Sequence, residues 1–237
     1  MNASSSRYPM WRLLLLVGAP LAFAITGLLH LVPASESTAG SDFDHLIPHS
    51  GLWIAIHVAQ LVFICLLALA VAALTDGIGA PVAKVSRVAL VPFVAFYSAF
   101  DASVGLSGGL LARYVSQHPS LSADIGQAFH AVTDPLSAPV LIAVYAIAVL
   151  CWLVATIGAA IAVRQAGVDL IGPILLVGGA AVFAIDHAAP FGPIGMVLFL
   201  IGAVVTDRQR FSRRPDEAQA SAGERAPSAG MDGIVPG

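Results

Sequence analysis

The sequence predicts an all-α protein, a polytopic membrane helix bundle of about six transmembrane helices. Three observations predict it. Of 237 residues, 58% are hydrophobic and only 11% are charged, whereas a soluble domain carries about 25% charged residues. Mean hydropathy is +0.87, which leaves more apolar surface than a chain of this length can hide from water. Long apolar runs also recur at bilayer length, about 20 residues rising about 1.5 Å each. The net charge of -3 offers no basic face for phosphate and so argues against a nucleic-acid partner.

The runs are read in chain order. Residues 13–32 and 51–74 carry no charge, and residues 88–111 carry only Asp101. Residues 136–163 are long enough to span with tilt. Residues 170–206 are too long for one crossing and are broken by Asp186-His187-Ala-Ala-Pro190-Phe-Gly-Pro193. Two short spans, 170–185 and 192–206, joined as a hairpin are the expected arrangement; a re-entrant pair is the other. The first run follows Arg7 and Arg12 as a signal peptide would. However, its apolar stretch is longer than a signal core and no good cleavage site follows Pro33, so it is expected to stay as a helix. Cys65 and Cys151 both lie in apolar runs and behave as small hydrophobes rather than a disulfide framework.

Basic residues set the direction. With six spans, Arg7, Arg12, Lys84, Arg87, Arg164, Arg208, Arg210, Arg213, Arg214 and Arg225 fall on one side and Arg113 alone on the other. Short loops rich in Lys and Arg stay in the cytoplasm. The expectation is an inner-membrane protein with both termini cytoplasmic: residues 1–12 a cytoplasmic segment, 13–206 the six-helix domain, and 207–237 a disordered cytoplasmic tail with little to bury. No internal repeat marks an inverted transporter architecture.

On this topology all seven histidines lie in the outer half, with Asp42, Asp44, Asp101, Asp124, Asp134 and Asp186. Residues four apart share a helix face, so His49, Trp53, His57 and Gln60 form one stripe and Tyr97, Asp101, Gly105 and Gly108 another. His130, Asp134 and Ser137 align only if that helix is continuous. Asp134-Pro135 also reads as a helix start, which would leave 122–132 a separate interfacial helix. Pro48 disfavours a helical His45/His49 pair. Asp101 is the most informative residue: an aspartate well inside a span faces a bundle interior or an aqueous cavity, and by depth its partner is His57. His30 reads as an interfacial residue whose ring reaches the polar boundary, and Trp53 as an interfacial anchor.

The expected binding pocket is therefore His57, Asp101, Tyr97, His130, Asp186 and His187. Imidazole with carboxylate suits a transition metal, and His57, Asp101, His130 and His187 could supply its ligands. Haem clamped between His57 and either His130 or His187 is a second cofactor possibility. Gly105-x-x-x-Gly109, Gly178-Gly179 and Gly195/Gly202 are small-residue faces for close helix packing.

Trp53-x-x-x-His57, Asp101 and Pro190-Phe191-Gly192-Pro193-x-Gly195 resemble a set of small actinobacterial-type multi-pass membrane proteins that have no assigned activity. The resemblance implies a membrane bundle and nothing more specific. Ser98, Asp101 and His57 are also similar to the polar set of zinc-dependent membrane hydrolases, but a closing His-x-x-x-His on a late helix is missing. The functional expectation is a non-enzymatic solute- or metal-binding, sensor or accessory protein, in contact with lipid and a membrane-protein partner. The alternative is a metal-dependent hydrolase or haem oxidoreductase at the outer face.

Overall fold

In a computed structural model, which describes residues 9–30, 41–134 and 138–224, all regular structure is helical. The helices are α1 (Met10–Leu29), α2 (Ser41–Leu46), α3 (Ser50–Leu74), α4 (Pro81–Gln117), α5 (Ser122–Thr133), α6 (Pro139–Gln165), α7 (Ile171–Ile185) and α8 (Phe191–Glu224). Prolines at the first turn open α4 and α6, where a missing N–H costs nothing. Gly77 and Gly167, both at positive φ, end the turns after α3 and α6, the backbone that glycine adopts without a Cβ penalty.

The long helices pack in chain order, α1 on α3, α3 on α4, α4 on α6, α6 on α7 and α7 on α8, and α8 closes the ring against α1. Helix α3 also reaches α6 and α8 across the middle. The core holds Phe23, Phe93, Tyr97, Trp152, Phe183 and Phe199. Most of its rings meet edge-on or tilted, with centroids 4.9 Å apart for Phe93–Trp152 and 5.1 Å for Phe23–Phe183, while Tyr97 and Phe183 stack at 6.3 Å. Buried polar groups here are tied to backbone: the Trp152 indole donates to the Ala180 carbonyl and Ser86 Oγ to that of Ala155.

Five helical stretches are long and apolar enough to cross a membrane, and α7 is a shorter apolar helix of 15 residues, about 22 Å long. That is the composition of a membrane protein. The expected hairpin of 170–185 and 192–206 is present as α7 and α8. Glycines let their backbones touch: a Cβ on Gly179 or Gly202 would meet backbone atoms of the facing helix, as would one on Gly195.

Two expected boundaries move. Arg12 does not lie before the first span but inside α1, where it is buried. Helix α8 runs past the expected domain end at residue 206, from Phe191 to Glu224; residues 225–237 lie outside the described residues. Composition suggested disorder because this stretch buries little. It is, however, rich in Ala, Glu, Gln and Arg, which are strong helix formers, and extending an existing helix needs no new nucleus.

The start of the fourth long helix also shifts. It begins at Pro139, and Asp134 closes α5 instead of capping α6. Thus α5 is a separate short helix, and the Ser137 end of the His130 stripe lies outside the described residues. Pro48 does not end the helical run as expected: it converts one turn to 3₁₀ geometry, Ile47–His49, between α2, which ends at Leu46, and α3, which begins at Ser50.

Candidate functional site: a buried histidine–aspartate cluster

The ring of helices has two polar ends. One holds His30 at the end of α1, His57 in α3, Asp101 in α4 and His187 in the turn between α7 and α8. The stripes read from helical spacing place these side chains inward: Trp53, His57, Gln60, Tyr97 and Asp101 are all buried. His57 Nδ1 lies 3.1 Å from Asp101 Oδ1 and 3.0 Å from Gln60 Oε1. Both partners are acceptors, which assigns the proton to Nδ1 and leaves a lone pair on Nε2.

The backbone of α4 is shaped for this contact. It widens into a π turn at Ala102–Leu106, directly after Asp101, a local irregularity that favours functional positions. Within the turn, the Gly105 carbonyl accepts a hydrogen bond from the Trp53 indole at 2.7 Å. A Cβ on Gly105 would collide with the His57 ring. The Gly105-x-x-x-Gly109 face is thus used for close packing, and Gly109 receives Trp53 and Ile54 in the same way.

His30 is part of this end. Its ring meets that of Trp53 at 4.6 Å, His57 at 5.2 Å and His187 at 5.1 Å between centroids. Trp53 in turn touches His57 at 4.6 Å, and Tyr97 lies 6.2 Å from His187. The α7–α8 turn is held in place by α1: Ala189 N–H donates to the Gly27 carbonyl at 3.2 Å, and a Cβ on Gly27 would stand 2.9 Å from the His187 carbonyl oxygen. Asp186 accepts from the Ala188 N–H at 2.9 Å and its Oδ1 lies 3.7 Å from His187 Nδ1. Burial pushes the His187 imidazole down to about 4; His30 adds to this and Asp186 opposes it, so the ring is neutral at neutral pH.

Of the expected pocket residues, the structure brings together His57, Asp101, Tyr97 and His187, with Asp186 beside His187. It does not bring His130 to them: that residue is exposed on α5. His45 and His49 are exposed as well. His30, Gln60 and Trp53 join the cluster as full members. Trp53 and Gln60 were visible as a stripe with His57. His30 carried no signal beyond its depth, because its neighbours come from other helices.

Unpartnered buried polar atoms concentrate here, although Thr206 Oγ1 at the other end is one as well. Among the described residues, the buried side-chain atoms without a hydrogen-bond partner include His57 Nε2, Gln60 Nε2, Tyr97 OH, Asp101 Oδ2 and His187 Nε2, all in this cluster. Among the same residues, no group of three or more His, Cys, Asp or Glu side chains already stands at metal-ligand spacing. Asp101 orients His57 through Nδ1. A haem between His57 and His187 would need the space where His30 packs against both rings.

Compared with known proteins, the chain matches no family model, no curated protein and no solved structure.

Proposed function

We propose that the chain is a multi-pass protein of the inner membrane, with both termini in the cytoplasm. On this reading it binds a small ligand, a polar solute or a metal ion, in the cluster at its outer end. It acts as a sensor or accessory component within the bilayer, alongside a membrane-protein partner, rather than as an enzyme. The observation that carries the binding role is the concentration of unpartnered buried atoms in one cluster: His57 Nε2, Gln60 Nε2, Tyr97 OH, Asp101 Oδ2 and His187 Nε2. Each such atom costs about 1–3 kcal/mol, so a cluster that served stability alone would not keep several of them. A ligand supplies the missing partners. Orientation is supported by the basic residues, which gather at the opposite end of the ring, where cytoplasmic charge belongs. Neither Ser98 nor a cysteine is among the hydrogen-bond partners of His57 or Asp101 in the described residues, which favours binding over nucleophilic chemistry.

The test is to denature purified protein and analyse what it releases, by elemental analysis for metals and mass spectrometry for organic solutes. Wild type is expected to release a ligand approaching one per chain, and His57→Gln to have lost it. Indistinguishable extracts overturn the binding role. Reporter fusions test the topology: after Gly79, Gly167 and the C-terminus they are expected to read cytoplasmic, and after Gly40, Pro119 and Ala189 extracytoplasmic. A C-terminus found outside defeats the orientation.

A further inference from the structure

We propose that His30, His57 and His187 together bind one transition-metal cation of the zinc or copper class, with Asp101 orienting the His57 ring from behind. This rests on the binding role above and names its ligand.

Two carboxylate–histidine pairs stand in this cluster. In each, the carboxylate faces Nδ1: Asp101 Oδ1 at 3.1 Å from His57 and Asp186 Oδ1 at 3.7 Å from His187. In each, Nε2 has no hydrogen-bond partner although it is buried. At 3.1 Å Asp101 accepts a hydrogen bond from His57 Nδ1, which holds the proton there and makes Nε2 a lone-pair donor, the arrangement that metal-ligating histidines adopt; Asp186, at 3.7 Å, lies beyond hydrogen-bond distance of His187 and acts on its ring only as a nearby charge. Two buried Nε2 atoms without a hydrogen-bond partner in one cluster call for a ligand, and an imidazole set suits zinc or copper.

His30 supplies the third ring. It touches the other two rings edge-on at 5.2 and 5.1 Å, so the three imidazoles form one contiguous group from three different parts of the ring of helices. Three nitrogen ligands and one open position make a common zinc site. The side chains are not yet at ligand spacing, so binding requires them to turn about their χ angles. His187 is placed for that, because it sits on a turn rather than in a helix. The roles of two residues change from the sequence reading. Asp101 becomes a positioning group behind His57 rather than a ligand, and His130 is replaced by His30.

The experiment uses the full chain in detergent, stripped with a chelator and then titrated with Zn²⁺ against a chromophoric competitor. A second titration uses Co²⁺, whose visible absorption reports tetrahedral nitrogen coordination. Wild type is expected to take up one Zn²⁺ per chain and to give the tetrahedral Co²⁺ band. His30→Gln, His57→Gln and His187→Gln are each expected to bind at least about tenfold more weakly, Asp101→Asn about 10–100-fold more weakly, and His130→Gln as wild type. Wild type that takes up no stoichiometric Zn²⁺, or gives no tetrahedral Co²⁺ band, overturns the proposal without relying on any variant. So does His130→Gln weakening binding as much as the other three. An organic solute in the released extract, with no metal, overturns this site and leaves the binding role standing.

Discussion

The two ends of the helix ring handle buried polar groups in opposite ways. At the arginine end, Arg12 and Asp207 are both buried and joined by a 2.6 Å contact, and Arg12 Nη2 also donates to the Ala73 carbonyl at 2.7 Å. Arg210 donates to the Leu74 and Asp76 carbonyls, Arg87 to that of Thr75 and Arg164 to that of Val168. These bonds use the last carbonyls of α3 and the turns that follow α3 and α6, groups a helix end leaves unpaired. At the histidine end, buried nitrogens and oxygens are left open around the hydrogen-bonded His57–Asp101 pair. The first arrangement closes the fold. The second holds donors and acceptors in reserve, and the proposed binding role rests on that difference.

The sharpest way to break the comparison is at Arg12. Arg12→Ala leaves Asp207 buried without its guanidinium, and losing one partner of a buried pair costs about 3–5 kcal/mol. Thermal unfolding in one detergent should show a large fall. Replacing both residues with apolar ones, Arg12→Met with Asp207→Leu, should recover much of it. A mild effect of Arg12→Ala would mean that this end is not the fastening described.

A smaller effect is expected from coupling at the other end. His57→Ala and Asp101→Ala should each destabilise, and the double variant should lose less than their sum, with an interaction of about 0.5–3 kcal/mol. Strict additivity in the same assay would show that the 3.1 Å contact carries no energy.

The smallest effect has the opposite sign. Tyr97→Phe removes a buried hydroxyl that has no partner and keeps the ring against Phe23 and Phe183. It should raise the unfolding temperature of ligand-free protein, by a gain of about 1 kcal/mol. A fall would place the hydroxyl in a structural bond and weaken the contrast between the two ends.

Much of this was legible along the chain, because a span and a helical stripe are local patterns. The apolar runs gave the helices, and spacing by four put His57 and Asp101 on inward faces. What was not legible depends on which helix lies beside which. Arg12 looked like a topology signal because its partner is 195 residues away. His30 looked interfacial because Trp53, His57 and His187 reach it from α3 and from the last turn. His130 stood in the expected pocket by its place on the outer side, although Asp134-Pro135 already signalled the break that separates it from the next helix. Trp53 was expected to be an anchor, but the π turn offers its indole a carbonyl that no residue pattern announces.

Gly27 and Arg12 sit at opposite ends of α1, and both grip the same hairpin. One end is fastened through the Gly27 carbonyl to Ala189, just before α8 begins. The other is fastened through Arg12 to Asp207, farther along α8. Two antiparallel helices pinned to each other at both ends cannot slide by a helical step without releasing a pin. The spacing of the pins, about 15 residues on α1 and about 18 on the hairpin, or roughly 25 Å of helix, sets the registry of His30 against His187. A fault at the ion pair is therefore expected to show up as misaligned imidazoles at the far end.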